Sequence, residues 1–227
     1  MQNIEKNLAQ IHHQIELAAA EYDRDSGDIS LLAVSKKKLP ADLRCAYDCG
    51  QRDFGENFLQ EAQVKMRELA DLDIIWHFIG PVQSNKTRAL AESFDWVHCV
   101  DRAKIAQRLS SQRPGSLPPL NICIQVNIDL ETSKSGIAPD DIVPLAETIR
   151  VLPNLRLRGL MAIPAQHSSF ELQREPFAKM KQALGDLQQL GLDCDTLSMG
   201  MSHDMRAAIA EGSTLVRIGT AIFGERL

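Results

Sequence analysis

Eight short apolar runs alternate along this chain with stretches of helical periodicity, and that rhythm leaves few folds open. The runs fall at residues 29–35, 52–56, 74–80, 96–100, 121–128, 155–163, 196–201 and 215–219. Helical stretches lie at 40–50, 57–70, 84–93, 102–112, 139–151, 169–190 and 203–211. Each run is too short for a helix and is bounded by turn residues, the mark of a buried strand. Strands separated by helical patterns imply βαβ units and a parallel sheet. Eight units in about 200 residues match the lower size range of a (β/α)8 barrel, the TIM-barrel architecture. A doubly wound open sheet is the alternative, because strand order is not written in the sequence.

Before this rhythm begins, Ile4, Leu8, Ile11, Ile15, Ala18 and Tyr22 recur at helical spacing. They predict an extra N-terminal helix of about 20 residues. Residues 23–28 break it, with Gly27 as the expected stop, so 1–28 reads as helix and connector. No linker, low-complexity stretch or repeat interrupts the rest, and one domain spanning 1–227 is expected. A chain of 227 residues can bury roughly 70% of its surface in one core.

Composition removes several function classes. Hydrophobic residues at 44% and charged residues at 24% exclude a disordered chain. A net charge of −5 argues against non-specific binding to nucleic acid, and the run Lys36-Lys37-Lys38 is too short for a basic patch. Five scattered cysteines, an odd count without a CxxC pair, fit a reducing compartment. Cys45 and Cys49 stand one helical turn apart, but no nearby histidine completes a zinc set. Glu5, Lys6 and Glu16 deny the N-terminus the apolar core of a signal peptide. No apolar run approaches the length of about 18 residues that a membrane span needs. A soluble cytoplasmic protein is the expectation.

In a barrel the chemistry collects where strands end. Lys36 follows the first strand, where lost solvation lowers an amine's pKa and frees it to attack a carbonyl; Lys37 and Lys38 push the same way. The plainer alternative is a solvated loop lysine. Asn57 follows the second strand. After the seventh, Ser202 is expected to cap the helix at 204–210, its hydroxyl and the free N–H groups cradling an anion. After the eighth, Gly219 lets backbone approach closely and Thr220 adds a hydroxyl. Taken singly these are ordinary caps and turns; taken together, in this place, they read as a phosphate site. Ser202-His203-Asp204 is no catalytic triad, because adjacency in sequence does not produce triad geometry. His12-His13 reads as a solvated helix face, Trp76 and Trp96 as core or rim, and 131–136 as a polar loop, the kind of segment that carries function.

These residues are also familiar in combination. Ala33-Val34-Ser35-Lys36, Arg52-Asp53-Phe54-Gly55-Glu56-Asn57, Trp76-His77-Phe78-Ile79-Gly80 and Gln83-Ser84-Asn85-Lys86 form the first half of the pattern. Gly159-Leu160-Met161, Ser198-Met199-Gly200-Met201-Ser202-His203-Asp204 and Val216-Arg217-Ile218-Gly219-Thr220 form the second. Jointly, over about 29–224, the chain resembles the pyridoxal-phosphate homeostasis protein family. The resemblance implies a fold-type III barrel related to the N-terminal domain of alanine racemase, with pyridoxal 5′-phosphate held as a Schiff base on Lys36. It further implies that Ser202, Gly219 and Thr220 hold the phosphate, that Arg217 faces the pyridine nitrogen and that Asn57 lies near the ring. Two positions depart from the usual pattern: Lys37 stands where threonine commonly follows the lysine, and Pro81-Val82 replaces His-Leu.

The chemistry of the residues agrees with these roles, since an aldehyde cofactor needs an amine and an anion site. An arginine opposite the ring nitrogen keeps that nitrogen unprotonated and the ring a poor electron sink. Related racemases draw a second acid/base, a tyrosine, from a separate β-domain. Here only Tyr22 and Tyr47 occur and the chain ends at Leu227, so no such domain is expected. The resulting expectation is a monomeric protein that stores, buffers or delivers pyridoxal phosphate, with apo enzymes as recipients and no catalytic residue. The alternative is a small racemase using His203 or Lys134 as the second base. A Schiff-base aldolase without bound cofactor is a third, weaker reading.

Overall fold

A computed structural model describes residues 3–132 and 134–225. Residues 1–2 of the expected first helix, Ser133 of the polar loop and the chain end at Leu227 lie outside the described residues. Strand β1 (Ser30–Val34) hydrogen-bonds on one side to β2 (Asp53–Glu56) and on the other to β8 (Leu215–Ile218). Between them, in chain order and all parallel, run β3 (Ile75–Phe78), β4 (Trp96–Val100), β5 (Leu120–Val126), β6 (Leu155–Ala162) and β7 (Thr196–Ser198). The register Ser30↔Leu215 and Leu32↔Arg217 closes the sheet. This excludes the open-sheet alternative, which requires two unpaired edges.

Helices α2 (Pro40–Asp48), α3 (Leu59–Glu68), α4 (Thr87–Ser93), α5 (Ala103–Gln112), α6 (Ile142–Arg150), α7 (Phe170–Gln189) and α8 (Met205–Ala210) connect successive strands. Pro40 opens α2, where a missing N–H costs nothing, and Asp42 accepts from the Leu39 N–H. Gly50 follows its end at φ +96°, the left-handed turn that glycine allows. A ninth helix, α9 (Thr220–Phe223), is too short to leave a periodic signal in the sequence.

The N-terminal helix is α1 (Ile4–Glu21), capped by the Asn3 side chain. Ile4, Leu8, Ile11, Ile15 and Ala18 are buried, packed against α2, α8 and α9. Each large apolar side chain contributes about 1.5–3 kcal/mol of transfer free energy. The helix ends at the expected break, but Gly27 is not its stop. Asp23 takes the left-handed backbone (φ +52°), and Gly27 lies instead in a short 3-10 turn, Ser26–Asp28. Among the described residues, no helix is long and apolar enough to cross a membrane.

Side chains alternate along each strand. Leu31, Ala33, Trp76, Phe78, Val97, Leu197, Val216 and Ile218 join the apolar layer beneath the helices. The opposite set includes Asp53, His77, His98, Ser198 and Arg217, linked to one another across the barrel. Barrel interiors are ordinarily filled by Val, Ile and Leu. This one carries polar groups along its axis.

Candidate functional site

The chain leaves β1 through a turn, with Lys38 N–H donating to the Ser35 carbonyl at 3.0 Å. Lys36 and Lys37 occupy its two central positions, and Lys37 has φ +60°, a place usually taken by Gly or Asn. The three consecutive lysines separate here. Lys36 is half-buried and lines a cavity at the carboxyl ends of the strands. Lys37 points to solvent while its N–H donates to Glu61. Lys38 reaches the carbonyls of Phe223, Gly224 and Glu225 at 2.7–3.1 Å, closing the end of α9. Its ammonium is therefore engaged at the chain's far end, not gathered beside Lys36 as the sequence suggested.

Beneath this turn lies a group that sequence reasoning missed. Lys65, 2% exposed, donates to the Ser35 carbonyl and to Glu56, both at 2.7 Å, and to Glu61 at 2.5 Å. The Ser35 hydroxyl donates to the same Glu56 oxygen at 2.6 Å. Burial pushes the Glu56 carboxyl above its ordinary 4.5, although Lys65 and Ser35 pull it the other way. A signal existed: Leu59, Ala62 and Lys65 share the buried face of α3, and a lysine stands where an apolar residue belongs.

Asn57 follows β2 and lines the same cavity, and its Oδ1 is buried without a hydrogen-bond partner among the described residues. Such an atom is an acceptor awaiting a donor. Gly80 supports it from the end of β3, where an added Cβ would fall 2.2 Å from the Asn57 carbonyl oxygen. Beyond Gly80, Pro81 is exposed and Val82 buried, so this departure from the family pattern keeps an apolar anchor.

On the opposite wall the expected cap is corrected. Asp204, not Ser202, is the N-cap of α8. The Asp204 carboxylate is buried and accepts from the Met201 N–H at 2.6 Å, which leaves Ser202 exposed in the preceding turn. Gly219 caps α9, and a Cβ there would meet the Val34 carbonyl oxygen at 3.1 Å, so β8 and β1 approach closely at this point. The first turn of a helix leaves N–H groups without intrahelical acceptors, and Thr220 adds its hydroxyl beside them. Arg217 is 5% exposed and donates to Ser198 and to the Ala162 carbonyl.

Lys36, Asn57, Ser202, Arg217, Gly219 and Thr220 thus surround one cavity of about 360 Å³. Val34, Ile79, Met161 and Met201 supply apolar wall, the mixture usual for a small-molecule site. Of the two candidate second bases, His203 lines this cavity, 3.2 Å from Asp204. Lys134 does not line it and pairs with Asp129 and Glu131. A second cavity, about 390 Å³, lies at the other end of the barrel among Asp53, His77, Trp96 and Arg158.

The family model for the alanine racemase N-terminal domain matches residues 6–227. A protein of Pseudomonas aeruginosa named pyridoxal phosphate homeostasis protein is 59% identical over 226 residues, covering 100% of this chain and 97% of its own. The protein of the same name from Escherichia coli K12 is 52% identical over 229 residues, covering 100% and 98%. The chain belongs to the pyridoxal phosphate homeostasis protein family. PipY of Synechococcus elongatus, solved with pyridoxal phosphate bound, superposes with a TM-score of 0.85 at 37% identity, covering 98% of this chain and 100% of PipY. Alanine racemase of Corynebacterium glutamicum shares the fold at a TM-score of 0.67 and 17% identity, over 96% of this chain and 61% of the racemase.

Proposed function

We propose that the cavity binds pyridoxal 5′-phosphate, with Lys36 as its covalent anchor, and that the protein stores, buffers or delivers this cofactor. The observation that carries the reading is a cavity at the carboxyl ends of the strands that brings Lys36 together with the Ser202 and Thr220 hydroxyls and the backbone at Gly219. When bound, the cofactor supplies an aldehyde that an amine can hold and a conjugated ring that can withdraw electrons. The Lys36 amine binds the aldehyde carbon. Ser202, Thr220 and the backbone at Gly219 bind the phosphate. Arg217 orients the ring from the side of its nitrogen, and because a guanidinium only donates, no proton is held there. The names of the relatives and the cofactor in PipY support this assignment.

The same residues argue for binding without dedicated turnover. Racemization needs an acid and a base on opposite faces of the substrate's α-carbon. Lys36 serves one face, and His203 is the remaining sequence candidate in the cavity wall. His203 sits on an exposed turn, 3.2 Å from the Asp204 carboxylate. A positioned general base contributes about 10²- to 10⁴-fold, so binding without dedicated turnover requires that His203 does not act as one.

The purified protein is expected to absorb near the visible edge, and borohydride to fix the cofactor on the peptide containing Lys36. Label on another lysine, with Lys36→Ala still yellow, overturns the anchor. In heavy water with saturating amino acids, α-proton exchange at about 1–10³ per second would favour the racemase reading.

A further inference from the structure

Arg217 is a buried cation whose hydrogen-bond acceptors among the described residues are all neutral. Nη1 donates to the Ser198 carbonyl and, at 2.9 Å, to Ser198 Oγ; Nη2 donates to the Ala162 carbonyl at 2.9 Å. A buried charge without an adjacent counter-ion is costly. Asp204 is the carboxylate whose charge Arg217 feels across space, and that group is already engaged by Met201 N–H and His203.

From Arg217 a chain of polar side chains descends through the barrel. Ser198 Oγ lies 2.8 Å from His98 Nδ1, and His98 Nε2 lies 2.9 Å from His77 Nδ1. His77 Nε2 lies 2.9 Å from Asp53 Oδ1. Ser198 and His98 are fully buried, whereas the Asp53 side chain is 30% exposed at the opposite mouth. The Trp96 ring stacks on His77 with centroids 5.3 Å apart and fixes its plane.

Counting hydrogens sets the direction of this chain. Arg217 can only donate, so Ser198 Oγ accepts from it and has one hydrogen to give, which goes to His98 Nδ1. His98 then carries its hydrogen on Nε2 and donates to His77 Nδ1, and His77 Nε2–H donates to the Asp53 carboxylate. In the reverse order Ser198 would accept twice with its own hydrogen unused, and a neutral His77 would turn a lone pair toward Asp53. Burial holds His98 well below its ordinary 6.5, with His77 and Arg217 adding to the effect, so this ring is neutral.

We propose that Ser198, His98, His77 and Asp53 form one directed hydrogen-bond relay that positions Arg217 and brings its counter-charge from the far mouth of the barrel. Occupancy of the cofactor cavity is consequently felt at His77. These four are positioning residues, since none of them lines the cavity that holds Lys36. The link to the cofactor rests on the function proposed above; the direction of the relay does not.

Side-chain ¹⁵N NMR of the full chain without cofactor tests the direction. Both His77 and His98 should be neutral with the hydrogen on Nε2, and an Nδ1–H tautomer or a cationic ring at either position overturns the relay. Pyridoxal phosphate is then titrated, with filling followed separately by visible absorbance. His98 and His77 ring resonances should shift in the wild type, and the His77 shift should vanish in Ser198→Ala. Unmoved His77 resonances in a protein saturated by absorbance overturn the coupling. If Ser198→Ala does not fold, Asp53→Asn at the exposed end replaces it: a shift of His98 Nδ1 through His77 supports the relay, and its absence refutes it. If no cofactor binds, the function above fails, while the tautomers and Asp53→Asn still decide the relay.

Discussion

The Lys65 ammonium donates to the carbonyl of Ser35, the residue immediately before Lys36, at 2.7 Å. With Glu56 and Glu61 completing its contacts, this buried lysine ties α3 and the end of β2 to the turn that presents Lys36. The turn is thereby built on a charge cluster instead of on apolar packing.

Lys65→Met removes the cation and strands Glu56 in the interior. Breaking a buried pair from one side costs about 3–5 kcal/mol, and urea unfolding should show a loss of that order. Glu56→Gln keeps an acceptor and leaves Lys65 with Glu61 and Ser35, so its cost should stay within about 1.5 kcal/mol. Equal losses for the two variants would contradict the assignment of Lys65 as the organising charge.

Glu56 should also give an unusual pH dependence. Its carboxyl titrates above 4.5 when folded, because burial outweighs Lys65. Between that raised value and 4.5 the folded chain binds more protons than the unfolded one, so this group's contribution to stability rises as pH falls. It is fully present below 4.5 and lost as pH climbs through the folded-state value. Relative to Glu56→Gln, the wild type should gain urea resistance from neutral pH toward 4.5, and a constant difference would refute the shift.

Ser202→Ala should weaken pyridoxal phosphate binding by roughly 1.5 kcal/mol, about 10-fold, the lower end for a hydrogen bond to a charged group because the hydroxyl is exposed. Pyridoxal, which lacks the phosphate, should bind the two proteins alike. Equal weakening toward both ligands in a fluorescence titration places Ser202 away from the phosphate.

Thiol accessibility should divide the cysteines. Cys45 and Cys49 are exposed, whereas burial pushes Cys99 up to about 12 and Cys194 up to about 11, and raises Cys123 as well. The thiolate is the reactive form. A disulfide reagent at neutral pH should therefore label Cys45 and Cys49 in the native protein, and the other three only in urea. Rapid native labelling of Cys99 would mean that the barrel opens around β4.

The barrel was legible because its signal is repeated: each strand is a short apolar run, and each helix between strands carries its own periodicity. That Lys36, Ser202, Gly219 and Thr220 share one cavity was legible because strand ends concentrate chemistry. What escaped was decided by contacts distant in sequence. Ser202 carries the right residue type for an N-cap, yet Asp204 wins by reaching back to Met201, a competition that composition does not reveal. His77 and His98 sit on adjacent strands, but His98 meets Ser198 only when the barrel closes. Lys65 stood out of pattern on α3, and its meaning required the position of the Ser35 carbonyl.

The pairing of β1 with β8 has a consequence for how the protein comes into being. Lys36 emerges from the ribosome early, while Arg217, Gly219 and Thr220 follow only after most of the barrel has been made. Domains generally fold as units, and pairings between distant segments form slowly. A nascent chain that has not yet delivered β8 presents Lys36 without Arg217, Gly219 and Thr220 beside it. Lys36 and the opposite wall of its cavity are therefore united only by the last strand of the barrel.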